Sequence, residues 1–267
     1  MNALIVAAGL GTRLKPYTDT MPKALVPVAG KPMLQHRLEA MERIGCGCVV
    51  INVHHFAEQI IDWVEAHRSS YSFDIRISDE RQQLLNTGGA VRQALALFDD
   101  DEPVLVHNVD IFSNIDLRAF YDAHRCSGAD ASLLVSERTT KRYLLFEASA
   151  AVRAEERSSV PSDAGENASV SSSIVPSVSA MPLVGWKNVA TGERKGSDGI
   201  PYAFAGIHVV EPRLRPALDA FGEAFSIIDF YLAALADHTV CGLKAPDAFR
   251  LVDAGKPESL SDAAQLL

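Results

Sequence analysis

The chain of 267 residues has few cysteines and no excess of positive charge. Its four cysteines are too few for a disulfide framework, so we interpret them as small buried side chains in a reducing compartment. The 34 acidic residues outnumber the 25 basic ones and give a formal net charge of −9. This balance excludes a general electrostatic affinity for nucleic acid or for an anionic membrane.

Long hydrophobic runs and targeting signals are also missing from the sequence. No stretch approaches the roughly 20 apolar residues of a membrane span. Residues 1–8 are apolar but short, lack a basic leader and run into glycines and charges, so they do not predict a signal peptide. We therefore expect a cytoplasmic protein with no membrane association.

Apolar residues make up 48% of the chain and follow two alternating patterns over the first 136 residues. Continuous apolar runs, typical of strands buried on both faces, alternate with segments whose apolar residues recur at helical spacing. Repeated strand–helix–strand units predict an α/β fold, a single domain over residues 1–267 with a doubly wound, mostly parallel sheet. The predicted strands are 3–7, 49–53, 73–77, 103–106, 131–135, 143–147, 183–187 and 202–210, and the predicted helices are 32–44, 56–64, 88–98, 115–124, 225–236 and 257–266.

Residues 158–179 depart from this alternation. They contain nine serines in 22 positions and few large apolar side chains. Such a composition cannot bury enough surface to offset the entropy lost on ordering. We predict a flexible insertion on the surface of the domain.

A glycine-rich loop with two cations follows the first predicted strand. Glycines at this position let the backbone approach a ligand closely and direct its N–H groups at phosphate oxygens. An arginine adds a planar fork for phosphate, and a lysine adds a mobile point charge. The loop lacks the third glycine of the dinucleotide fingerprint and the Gly-Lys-Ser/Thr of the P-loop. The sequence predicts a phosphate site that comprises Ala7, Ala8, Gly9, Gly11, Thr12, Arg13 and Lys23.

The loop and the segments after it resemble the signature of the sugar nucleotidyltransferases, or nucleotide-sugar pyrophosphorylases. The likeness is carried by residues 7–33, 87–89, 108–110, 204–207 and 253–258. It implies a Rossmann-like nucleotidyltransferase fold without a C-terminal β-helix. It also implies transfer of a nucleoside monophosphate from a nucleoside triphosphate to a sugar 1-phosphate, with release of pyrophosphate. With residues 51–55 and 87–89 and without a C-terminal β-helix, the pattern is most similar to the short N-acetylmuramate 1-phosphate uridylyltransferases. This likeness makes UTP and N-acetylmuramate 1-phosphate, or a related sugar, the expected substrates.

The resemblance implies a Mg²⁺ cofactor held by two carboxylates. Asp110 follows a buried strand at the edge where doubly wound sheets bind ligands, and it matches the metal-binding Asp of the family. Asp229 ends a segment similar to the Ile-Thr-Asp element that carries the second ligand, whereas Asp253 is expected to support the floor of the site. From the residues alone, a helix cap for Asp110 and a solvated helix face for Asp229 stay open.

The resemblance also assigns residues to the catalytic, nucleotide and sugar sites. Arg13 and Lys23 are the expected catalytic cations, on the outer phosphates and on the α-phosphate respectively. The expected remaining nucleotide contacts are Asp79, Thr87, Gly88 and Asn108, and the expected contacts with the sugar phosphate are Asn108, Arg142, Lys187, Tyr202 and Gly206.

Other functions share parts of this pattern. Within the class, the alternatives are a heptose or hexose 1-phosphate guanylyl- or thymidylyltransferase and a phosphocholine cytidylyltransferase. From other classes come a non-catalytic nucleotide-binding regulatory domain and a dinucleotide-dependent oxidoreductase. Intact Arg13, Lys23 and Asp110 argue against the regulator, and the missing third glycine argues against the oxidoreductase. The base, the sugar and the choice between monomer and homodimer stay open.

Overall fold

A large mixed sheet organises the part of the chain that the computed structural model describes, which comprises residues 1–147, 175–176 and 179–267. Helices cover both faces of this sheet and bury two apolar clusters between helix and strand. The serine-rich insertion predicted at residues 158–179 lies almost entirely outside the described residues. No helix among the described residues is long and apolar enough to cross a membrane.

The first half of the chain forms the parallel part of the sheet. The strands predicted at residues 3–7, 49–53, 73–77 and 103–106 are strands here. Within this group neighbouring strands are parallel, and their spatial order is 104–108, 2–6, 48–53 and 74–79. Because parallel strands need a crossover, a helix follows each of them. The strands are β1 (Asn2–Val6), β4 (Cys48–Val53), β5 (Asp74–Asp79) and β6 (Val104–Asn108), and the helices are α1 (Met33–Arg43), α2 (Ala57–His67), α3 (Asn86–Leu95) and α4 (Leu117–Ser127).

The second half of the sheet is largely antiparallel, which corrects the prediction of a mostly parallel sheet. The long strand β12 (Ile200–Val210) lies between β6 and β8 (Ala131–Ser136) and is antiparallel to both. Residues 189–193 form a connection too short for a crossover helix, so the strands that they join pair antiparallel. The other strands here are β9 (Arg142–Phe146), β10 (Ala180–Asn188), β11 (Arg194–Gly196) and β13 (Val240–Lys244), of which β13 is parallel to β8.

Short strands away from the main sheet bring the end of the chain back to its middle. β14 (Leu251–Asp253) pairs antiparallel with β7 (Ile111–Ser113), and this register places Asp253 opposite Ile111. The residue before Ile111 is Asp110, so the two carboxylates are brought together by strand pairing. The remaining elements are β2 (Pro27–Val28), β3 (Lys31–Pro32), α5 (Arg215–Phe221), α6 (Ile227–Ala234) and α7 (Leu260–Gln265).

Candidate active site

The glycine loop after β1 is compact because Gly11 has a left-handed backbone. Its φ is +63°, and a Cβ atom at this position would lie only 2.8 Å from Cγ2 of Thr18 and 3.1 Å from Cβ of Lys23. The hydroxyl of Thr18 donates a hydrogen bond of 2.8 Å to the carbonyl of Gly11. This conformation leads directly into the short 3₁₀ helix that carries Arg13.

The buried side chain of Asn52 binds the backbone at the start of the same loop. Oδ1 of Asn52 accepts hydrogen bonds from the backbone N–H of Ala7 at 2.6 Å and of Ala8 at 3.3 Å. Nδ2 of Asn52 donates to Oε1 of Glu80 at 2.7 Å, and Oε2 of Glu80 accepts from the N–H of Leu85 at 3.1 Å. The structure therefore uses the N–H groups of Ala7 and Ala8 to fix the loop. Sequence reasoning missed Asn52 and Glu80, whose signal is a polar residue at or next to the end of a buried strand.

Two cations and two carboxylates from four distant segments meet beside the loop. Lys23 forms an ion pair with Asp110, and both side chains are largely buried. The guanidinium of Arg13 lies 3.4 Å from a carboxylate oxygen of Asp253. A cleft of about 290 Å³ opens next to them, lined by Leu10, Gly11, Thr12, Arg13, Lys23, Leu84 and Gly255. The predicted phosphate residues and both predicted cations thus line or adjoin one cleft.

The two carboxylates, Asp110 and Asp253, lie close enough for each to shift the pKa of the other. Burial raises the pKa of Asp110, the neighbouring Asp253 raises it further, and the charge of Lys23 opposes both effects. Burial also favours the neutral form of Asp253, but hydrogen bonds with Asp110 and Gly255 and the charge of Arg13 lower its pKa overall. Shifts in opposite directions are expected where one carboxyl group of a close pair is more deeply buried than the other.

The donor set of this pair fits Mg²⁺. That ion prefers oxygen ligands, keeps several waters and binds through one or two carboxylates together with substrate phosphates. Among the described residues there is no group of three or more His, Cys, Asp or Glu side chains that would form a closed metal cage. An open pair of carboxylates beside a phosphate cleft fits the way in which such an ion binds.

The structure places Asp229 differently from the sequence prediction. Asp229 lies in the first turn of α6, half exposed, and its carboxylate is 2.8 Å from Nζ of Lys195 on β11. The carboxylate beside Asp110 is that of Asp253, which was predicted to have only a supporting role. The strand pairing between β7 and β14 accounts for this, because it joins segments 140 residues apart through a register that the sequence does not reveal.

The residues predicted to meet the nucleobase have partners within the protein. The N–H of Gly88 donates to the carbonyl of Phe225 at 2.8 Å, and a Cβ on Gly88 would lie 2.3 Å from the Phe225 ring. The hydroxyl of Thr87 accepts from the N–H of Ile227 at 3.0 Å. Asp79 is bound by the guanidinium of Arg81, whose hydrogen bonds lower the pKa of Asp79. Gly88 and Thr87 therefore place the start of α3 against residues 223–227, and their contact with a base stays a prediction.

Asn108 and Gly206, both predicted to bind the sugar, lie next to each other. Gly206 has a φ of +75°, and a Cβ there would lie 2.8 Å from Nδ2 of Asn108. Tyr202 is only 4% exposed and packs near Phe146, which leaves little of its surface for a ligand.

Lys187 lines a second cleft, of about 380 Å³, together with Arg138 and Tyr143. Arg142, at the start of β9, is exposed and lies opposite Asn188 of β10. Arg138 was missed by sequence reasoning; it donates to the carbonyl of Phe204 at 2.8 Å. Burial lowers the pKa of Arg138, and the charge of Asp253 attracts its guanidinium. The second cleft is therefore lined by two cations and by the carboxylate of Glu137, and one of its cations, Arg138, is attracted by the charge of Asp253.

Comparison with known proteins agrees with this geometry. The family model described as nucleotidyl transferase matches residues 2–152, more than half of the chain. The chain belongs to the nucleotidyl transferase family. It is 32% identical over 250 residues to the N-acetylmuramate alpha-1-phosphate uridylyltransferase of Caulobacter vibrioides, over 92% of this chain and 88% of that protein. It is 33% identical over 138 residues to mannose-1-phosphate guanylyltransferase 1 of Arabidopsis thaliana, over 51% of this chain and 38% of that protein.

Solved structures show the same fold. A UDP-glucose pyrophosphorylase crystallised with UDP-glucose superposes with a TM-score of 0.71 at 17% identity, over 99% of this chain and 97% of that one. A UDP-glucose pyrophosphorylase from Acinetobacter baumanii superposes with a TM-score of 0.69 at 15% identity, over 98% and 91% of the two chains. The predicted resemblance, the enzyme class and the Rossmann-like α/β nucleotidyltransferase fold are confirmed.

Proposed function

We propose that this chain transfers a uridylyl group from UTP to N-acetylmuramate 1-phosphate, or to a related sugar 1-phosphate, and releases pyrophosphate. The observation that carries the proposal is the meeting of Arg13, Lys23, Asp110 and Asp253 at the glycine loop. The likeness to a uridylyltransferase over most of both chains supports the choice of base and sugar.

The cleft beside the loop is suited to a triphosphate. Arg13, at its exposed end, would hold the β- and γ-phosphates with the backbone of residues 9–12. Lys23 is held by Asp110 at the inner end, where it would stabilise the charge that develops on the α-phosphate. An oxygen of the sugar 1-phosphate attacks the α-phosphorus in line, the bond to the bridging oxygen breaks, and pyrophosphate leaves. Positioning and charge neutralisation suffice, so no covalent enzyme intermediate is required.

Asp110 and Asp253 are the carboxylates that would hold Mg²⁺. A bound magnesium ion supplies charge neutralisation on the phosphates and helps to orient them. The hydrogen bond from the N–H of Gly255 to Asp253, 2.8 Å long, fixes the orientation of that carboxylate. The magnesium assignment rests on the donor set and on the open geometry of the pair.

The second cleft is suited to the acceptor. Arg138 and Lys187 give it two positive charges, and Lys187 lies 5.7 Å from the centroid of the Tyr143 ring. A sugar 1-phosphate bound here would have its phosphate beside these two cations. Removal of the charge of Arg138 should therefore weaken binding of the sugar 1-phosphate more than binding of the nucleotide.

A matrix of the four nucleoside triphosphates against a panel of sugar 1-phosphates, assayed by pyrophosphate release, tests the proposal. The expected result is highest activity with UTP and N-acetylmuramate 1-phosphate. Preference for a hexose or heptose 1-phosphate with GTP or dTTP, or for phosphocholine with CTP, would replace the substrates and keep the class. Nucleotide binding without turnover for any pair would overturn the proposal. A single domain without a C-terminal β-helix, a cytoplasmic location and a monomer or homodimer stay predictions from the sequence.

A further inference from the structure

A buried chain of hydrogen bonds joins the carboxyl ends of β1, β4 and β5 beneath the nucleotide cleft. Asn52 lies one residue before the end of β4, and Glu80 directly follows β5. Asn52 is 1% exposed and Glu80 is 2% exposed. The chain runs from the N–H groups of Ala7 and Ala8 through both side chains to the N–H of Leu85.

The polarity of this chain is fixed at both ends by backbone donors. Because Ala7 and Ala8 present N–H groups, the amide of Asn52 must direct its oxygen at them and its NH₂ at Glu80. Leu85 presents another N–H group to the second oxygen of Glu80. Position 80 therefore has to accept hydrogen bonds on both oxygens, and a carboxylate, which when ionised is an acceptor only, meets that requirement without a competing donor.

Burial of a carboxylate at this position costs free energy, because the group is removed from water. Burial raises the pKa of Glu80, and only the hydrogen bonds and the neighbouring His54 oppose that effect. Within the described residues, no lysine or arginine lies at ion-pair distance from Glu80. Apolar side chains would fill such a space at less cost.

Each end of the hydrogen-bonded chain lies next to residues that line the cleft. Ala8 precedes the glycine loop, whose residues line the cleft with Arg13 and Lys23. Leu85 follows Leu84, which also lines the cleft, and Leu85 directly precedes α3. A chain of direct hydrogen bonds thus joins two segments that line the same cleft.

We propose that Asn52 and Glu80 are a positioning pair that sets the distance between the phosphate loop and the segment before α3, and thereby the affinity for the nucleoside triphosphate. The role rests on the proposed function in that the ligand of the cleft is taken to be a nucleoside triphosphate. Neither side chain touches the reacting atoms in this role.

Exchange of the two functional groups gives a direct test. In Glu80→Gln, an amide NH₂ faces either the NH₂ of Asn52 or the N–H of Leu85. In Asn52→Asp, two carboxylates face each other. In the double variant N52D/E80Q, the new carboxylate accepts from Ala7, Ala8 and the new amide, whose oxygen accepts from Leu85, so every donor again has an acceptor.

We expect each single variant to raise the KM for UTP about tenfold or more, since the loss of a hydrogen bond to a buried charged group costs that much. The KM for the sugar 1-phosphate should stay unchanged. The double variant should recover the KM for UTP to within about threefold of the wild type, as expected for two directly coupled groups. The control is Glu39→Gln, which makes the same substitution in a carboxylate that accepts from Gln35 at 2.9 Å, pairs with Lys31 and does not line the cleft; it should leave both KM values unchanged.

Hydrogen exchange gives a second measurement that does not depend on turnover. The amides of Ala7, Ala8 and Leu85 should exchange faster in both single variants and return to the wild-type rate in the double variant. Titration with a non-hydrolysable UTP analogue measures the affinity in the same samples.

Unchanged UTP affinity and amide exchange in the single variants would overturn the proposal. A double variant as impaired as the single variants, or losses confined to thermal stability, would also overturn it. If the wild type releases no pyrophosphate with any substrate pair, the proposed function fails, whereas analogue binding and hydrogen exchange still decide the role of the pair.

Discussion

A methyl group added at Gly11 should damage the phosphate loop with little effect on the rest of the fold. An alanine in the left-handed conformation, at a φ of +63°, costs about 1–2 kcal/mol. The added Cβ would also lie 2.8 Å from Cγ2 of Thr18 and 3.1 Å from Cβ of Lys23. Relief of such overpacking costs about 1–3 kcal/mol more. The loop would have to move, and Lys23 with it.

The loop relieves this strain by moving away from the position in which it binds the nucleotide. If at least 2 kcal/mol of the strain is lost from transition-state binding in this way, kcat/KM for the nucleotide falls about 30-fold or more. Pyrophosphate release against UTP concentration measures the loss, and urea denaturation measures the stability of the same variant. Gly192→Ala is the matched control, because its φ is +78° and nothing lies within 4 Å of the added Cβ, so only stability should fall.

Thr18→Ser in the Gly11→Ala background removes the crowded methyl group and keeps the hydroxyl that donates to Gly11 at 2.8 Å. This double variant should regain part of kcat/KM. Wild-type kcat/KM in Gly11→Ala, or no recovery in the double variant, would contradict the role given to the loop.

Three further predictions concern the histidines of the core, the acceptor cleft and the first turn of α3. Burial lowers the pKa of His107 and of His208 to about 3 and that of His124 to about 4, so these rings are neutral in the fold. Because these histidines take up protons near pH 6.5 in the unfolded chain, the stability that they contribute at neutral pH is lost as the pH falls towards their folded pKa values. The expected loss is about 2 kcal/mol for each histidine between pH 7 and pH 5. Urea denaturation at pH 7 and pH 5 measures it, and an unchanged midpoint would refute the prediction. Arg138→Met should raise the KM for the sugar 1-phosphate about tenfold and leave that for UTP unchanged, the reverse pattern being inconsistent with an acceptor cleft. Gly88→Ala places a Cβ 2.3 Å from a packed aromatic ring and should lower the melting temperature; a variant as stable as the wild type would show that α3 is free to move.

Local sequence patterns were sufficient to predict the parallel half of the fold. The continuous apolar run of β1 indicates a strand buried on both faces, and the amphipathic spacing of α1 indicates a helix buried on one face. The positions of both elements therefore follow from the local sequence pattern alone. The direction of β12 does not, because a buried strand has the same pattern whether its neighbours are parallel or antiparallel.

The residues of the candidate site also fall into a group that local sequence patterns predict and a group that they do not. Gly11, Arg13 and Lys23 lie within one short segment, where motif spacing is informative, and they adjoin one cleft in the structure. The partnership of Asp110 with Asp253 depends on a strand register between distant segments, and so Asp229 was predicted as the second ligand in its place. The pair of Asn52 and Glu80 was missed for the same reason.

The central claim, that Asp110 and Asp253 form the catalytic carboxylate pair, is tested most directly by the Mg²⁺ dependence of pyrophosphate release in Asp253→Asn and Asp229→Asn, measured side by side. Asp253→Asn should raise the half-saturating Mg²⁺ concentration about tenfold or more and lower the maximal rate, because it removes one of two charged ligands. Asp229→Asn loses only an exposed ion pair with Lys195 and should stay within about twofold of the wild type. The opposite result, a normal Mg²⁺ dependence in Asp253→Asn and an impaired one in Asp229→Asn, would contradict the account.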